Sequence, residues 1–129
     1  MVSVSGVNSA MEAVMQPALE AAGPVSYGNY GFLWLYQAML FGAETLDLQA
    51  SEIISRQDVP VLVVHGTKDE QIPMDACSII SHKEEIQSPQ VEYLLCDAGH
   101  TDLMYDPDGT ANNELIKNIH SFLLRSVGE

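Results

Sequence analysis

Basic side chains are scarce in this chain of 129 residues: five Lys and Arg stand against 18 Asp and Glu, for a formal net charge of −13. A surface of that sign repels a phosphate backbone and argues against a nucleic-acid partner. Long apolar runs are missing too, since no stretch approaches the ~18 uncharged apolar residues that span a bilayer. The best candidate, residues 31–42, is too short, so no membrane association is expected. Met1 to Gly6 lack the basic start and apolar stretch of a secretory signal, which points to a cytoplasmic protein. Cys77 and Cys96 are the two cysteines, too few for a disulfide framework or for a zinc site by themselves, and both are expected as reduced, mostly buried thiols. There is no HxxxH or CxxC pair, so a metal site on His65, Asp69 and His100 is not favoured and no cofactor is expected.

Apolar residues, by contrast, make up 47% of the chain, enough to build a core for one domain over residues 1–129. Residues 2–7 alternate and include β-branched side chains, which suits a short strand ending at Gly6. Residues 8–20 carry Met11, Val14, Met15, Ala18 and Leu19 at helical spacing, with Asn8 or Ser9 as the N-cap. Six of the nine aromatics, Tyr27, Tyr30, Phe32, Trp34, Tyr36 and Phe41, follow within residues 26–42. A helix over 32–41 has too little polar face to stand alone, so it must pack against something. Another helix is expected over 45–57.

Val59 to Val64 is a continuous β-branched run, the pattern of a strand buried on both faces of a parallel sheet. A helix over residues 73–87, opened by Pro73, a strand over 91–96 and an amphipathic helix over 110–126 complete the order. Strand, helical insertion, strand, helix, strand, helix implies an α/β fold with a parallel sheet of about three strands flanked by helices. Chemistry in such sheets sits in the loops at the carboxyl ends of the strands. Asp69 follows one strand by five residues and His100 follows the next by four. A carboxylate and an imidazole at one sheet edge form the orienting half of a nucleophile, histidine and acid triad.

These residues carry a family resemblance. The segment from Val61 through His65, Gly66 and Asp69 to Pro73 resembles the seventh strand and acid loop of the α/β-hydrolase superfamily, and Ala98-Gly99-His100 resembles its histidine loop. The resemblance implies the C-terminal part of such a sheet, with Val2 to Gly6 as its sixth strand and residues 8–45 as a helical cap inserted after it. It implies Asp69 as the catalytic acid and His100 as the catalytic base of a serine hydrolase acting on a small-molecule ester or amide. Phe32, Trp34, Tyr36 and Met39 are the candidate lining of a substrate pocket in the cap, or equally the cap's own core. His65, His82 and His120 are expected in structural or surface roles.

The G-x-S-x-G elbow that bears the family's nucleophile is absent. Ser3, Ser5 and Ser9 lack flanking glycines, and Ser26, with Gly28 alone, follows a helical segment rather than a strand. The implied protein is a C-terminal half with acid and base but no attacking atom, inactive alone. Its first strand would leave an apolar edge, so a homo-oligomer or a complementing N-terminal half is expected through the Val2 to Gly6 edge. The alternative is a non-enzymatic binding module built on the same fold.

Overall fold

The computed structural model describes residues 1–128. Three parallel strands, β1 (Val2–Val4), β2 (Val61–Gly66) and β3 (Val91–Cys96), lie in the order β1-β2-β3. Val4 pairs with Val64 and Gly66 with Cys96, so β2 and β3 end level and their following loops start side by side. The expected α/β class, a three-stranded parallel sheet flanked by helices, is the class observed.

β2 is buried along its whole length and feeds both faces of the sheet. Val61 and Val63 pack with Ile54, Ile79 and Ile80 on one face. Leu62 and Val64 pack with Leu103, Leu115 and Phe122 on the other. The long continuous apolar run is thus the sequence signature of a strand with no solvent face. Leu115 and Phe122 belong to α5 (Asn113–Val127), whose first turn is capped by Asn112: its side-chain oxygen accepts from the Leu115 N–H at 3.0 Å.

Between β1 and β2 the chain is helical: α1 (Ala10–Ala22), a 3-10 turn (Gly23–Asn29), α2 (Tyr30–Phe41), α3 (Ala43–Leu46) and α4 (Ala50–Ser55). Ser9 is the N-cap of α1, accepting from the Glu12 N–H at 3.2 Å. Asn8 has a different task. Its side-chain oxygen accepts from the Ser51 N–H and its carbonyl from the Ala50 N–H, so it caps α4 from 43 residues away. That cap fixes where α4 begins, and the single helix expected over 45–57 is two short ones.

α2 departs from expectation in its packing. Apolar side chains surround it, and its neighbours cover only one side, so Phe32, Tyr36 and Met39 remain 76%, 63% and 79% exposed. A second correction concerns residues 73–87, which form turns and one 3-10 turn (Ile79–His82) instead of an α-helix. The backbone there is taken by the loop after β1: Asn8 N–H donates to the Cys77 carbonyl at 2.8 Å and Ile79 N–H to the Gly6 carbonyl at 3.1 Å. These long-range bonds replace the intrahelical ones, and Ser78 caps the 3-10 turn from within the segment.

Candidate active site

Two loops leave the carboxyl end of the sheet together. The Thr67 N–H donates to the Cys96 carbonyl at 2.8 Å and the Lys68 N–H to the Ala98 carbonyl at 3.0 Å, which zips the loop after β2 to the loop after β3. Gly66 allows the approach, because a Cβ there would strike the Ala98 carbonyl oxygen. The loop carrying His100 is anchored by Leu103, fully buried, whose carbonyl accepts from the Asn112 side-chain amide at 3.1 Å. One residue therefore caps α5 and steadies the histidine loop.

This arrangement brings Asp69 and His100 together, with His100 Nδ1 at 2.8 Å from Asp69 Oδ2. Asp69 Oδ1 accepts from the backbone N–H groups of Gln71 and Ile72 at 3.0 and 2.9 Å. The carboxylate is buried, and burial opposes its charge more than any other single influence. The Ile72 N–H, His100 and Ser5 together outweigh that and hold the carboxyl below its ordinary range. A carboxylate accepts and the imidazole Nδ1–H donates, so Nε2 is left as the basic nitrogen. The imidazole is partly exposed, its side chain at 30%.

Ser5 is a residue that the sequence pattern gave no reason to single out. It is the only non-glycine residue with a positive φ, 47°, among the described residues, and it is buried beside Asp69. Its hydroxyl is near enough to favour the charged carboxylate, yet it completes no well-formed hydrogen bond. No hydrogen bond joins that hydroxyl to His100. The signal for such a position, a serine before Gly6 at a strand end, is weak.

Other candidates are placed as follows. The Ser26 hydroxyl donates to the Ala18 carbonyl at 2.7 Å within the 3-10 turn, away from any strand end. Cys77 and Cys96 are free thiols, and burial, helped by nearby carboxylates, pushes both upward from their ordinary range, away from the reactive thiolate. His82 lies between Glu12 and Glu85, at 3.3 and 3.0 Å. Trp34 joins Met11, Met15, Tyr27 and Tyr30 around a hollow of about 400 Å³, while Phe32, Tyr36 and Met39 stand outside it. A larger hollow, about 910 Å³, lies beside Asp97, Asp102 and Tyr105 and is lined by neither Asp69 nor His100. Among the described residues no group of three His, Cys, Asp or Glu side chains is gathered to hold a metal ion. None of the helices described is long and apolar enough to cross a membrane.

No family model matches the chain, and no curated protein matches it. Among solved structures, the esterase RhEst1 from Rhodococcus sp. ECU1013 is similar at a TM-score of 0.42 and 19% identity, over 94% of this chain and 50% of that one. The chain thus spans about half the length of that esterase.

Proposed function

We propose that Asp69 and His100 are the acid and the general base of a serine-hydrolase site for ester or amide bonds, whose nucleophile and oxyanion donors come from outside these 129 residues. The observation that carries this reading is the 2.8 Å contact between a buried carboxylate and Nδ1 of a partly exposed imidazole. In the proposed reaction Asp69 holds the proton on Nδ1, and Nε2 takes the proton of an attacking hydroxyl. Asp69 stabilises the imidazolium that results. The hydroxyl oxygen bonds to the carbonyl carbon, and the imidazolium protonates the leaving group as an acyl-enzyme forms. Water then attacks the acyl-enzyme by the same route.

The chain alone is expected not to turn over activated esters, and a fluorophosphonate should not label Ser26. The test is complementation: a G-x-S-x-G half-protein added to this chain should restore ester hydrolysis. His100→Ala and Asp69→Asn should each reduce that activity by about 10⁴-fold, the scale on which such triads lose rate. Restored hydrolysis that survives His100→Ala would falsify the assignment. A second reading, a non-enzymatic binding module, is favoured by one observation, the exposed apolar face of α2 with Phe32, Tyr36 and Met39. In the enzyme reading these side chains, with Trp34, contact the substrate; in the module they contact a partner or an apolar ligand.

A further inference from the structure

His65 takes no part in the proton transfer just described, yet it is a fully buried imidazole at the end of β2. Its Nε2 lies 3.0 Å from the Ile72 carbonyl oxygen. A carbonyl only accepts, so Nε2 carries the proton and donates. Nδ1 is then a lone pair buried with no partner among the described residues. Leaving a polar nitrogen unmatched in the core is costly, and a Leu or Phe would fill the space without that cost. What an apolar side chain would not supply is the donor to Ile72.

Ile72 is also the residue whose N–H donates to Asp69 Oδ1 at 2.9 Å. The segment from Thr67 to Ile72 has no helix or strand to fix it, and Pro73, lacking an N–H, cannot add a hydrogen-bond donor at its end. His65 Nε2 is 3.8 Å from Asp69 Oδ2, outside hydrogen-bond reach, so it acts on the acid through Ile72 and not directly. We propose that His65 is a positioning residue, which ties Ile72 to the rigid end of β2 and so aims the N–H that orients Asp69 toward His100. The inference rests on the reading of Asp69 and His100 as a working pair. The groups that face Asp69 are His100, His65 and Ser5, with the Cys77 thiol close enough to feel its charge, and each can be removed singly.

The test follows the Asp69 carboxyl by carbon-13 NMR against pH in the 129-residue chain, with amide spectra confirming the fold. His65→Phe keeps the bulk and loses the donor, and should raise the Asp69 midpoint by about one pH unit. His65→Gln, which keeps a donor, should restore part of the difference. A folded His65→Phe chain with an unmoved midpoint overturns the proposal. If His65→Phe does not fold, His65→Asn, polar but too short to reach Ile72, is read in the same way. A side chain that merely fills the core would lower the melting temperature and leave the Asp69 midpoint in place. His100→Ala separates the two levels: a midpoint unmoved there removes the Asp69–His100 pairing itself, whereas one that moves there but not in His65→Phe removes only the role of His65.

Discussion

Asp69 concentrates the electrostatics of the proposed site in one side chain. Three hydrogen bonds from Gln71, Ile72 and His100 compensate a burial that would otherwise neutralise it. Because its carboxyl is lowered in the folded chain, ionised Asp69 stabilises the fold above the ordinary carboxylate range. That contribution is lost as the pH falls through the lower folded value. Asp69→Asn is nearly isosteric and can still accept from Gln71 and Ile72, but it removes the charge that His100 faces. We expect a loss of about 1–3 kcal/mol at neutral pH, the scale for breaking a buried charge-assisted bond. Urea unfolding should show that loss at pH 7 and a smaller gap from wild type at pH 3. Equal stability of the two chains at pH 7 would contradict the account. At this scale the pairing of Asp69 with His100 was legible in the sequence, because each follows its strand by a short, countable distance. Ser5 and the donor role of His65 were not. Both depend on what lies across the sheet: Ser5 donates its N–H to the Val64 carbonyl, and His65 reaches a loop seven residues on.

Among the elements, β2, β3 and α5 were legible because their patterns are self-contained: a β-branched run, a strand before a Gly-containing loop, and apolar spacings of three and four. Residues 73–87 misled because propensity was outweighed by tertiary hydrogen bonds, from the Asn8 N–H to the Cys77 carbonyl and from the Ile79 N–H to the Gly6 carbonyl. The break between α3 and α4 was hidden for a related reason, since its cap lies far upstream. The junction of the β2 and β3 loops is the element-level requirement of the site, and Gly66 sets it. Gly66→Ala places a methyl against the Ala98 carbonyl, and backbone on both sides leaves little room to yield. A cost of about 1–3 kcal/mol is expected from such overpacking. The loops should also part, weakening the Asp69–His100 contact before the sheet itself fails. Thermal melting together with the Asp69 midpoint checks this, and a Gly66→Ala chain unchanged in both would refute it. The exposed Lys68–Asp97 ion pair, at 2.9 Å between the same loops, should matter far less.

For the molecule as a whole, charge and apolar surface pull in opposite directions. The net charge of −13 keeps copies apart, yet no charged residue occurs from Ala21 to Ala43, the stretch that includes the exposed α2. A second open feature is β1, paired on one side only among the described residues. Met1 and Ser5 bond to β2 through the Met1 carbonyl and the Ser5 N–H, so by alternation Val2 and Val4 turn their peptide groups to the free edge. An unpaired apolar edge of this kind recruits another strand. We propose association through Val2 to Gly6, with a second copy or with the half-protein that would bring the nucleophile. Screening separates the two forces: raising the salt should strengthen association, because the repulsion is long-ranged and the edge pairing is not. Val2→Pro removes the outward N–H at a position where an edge strand tolerates proline, and should suppress association without unfolding the chain. Sedimentation velocity at low and high salt reads both effects. A monodisperse monomer at high concentration and high salt would rule out self-pairing at that edge, and undiminished complementation by Val2→Pro would rule out its use by the other half.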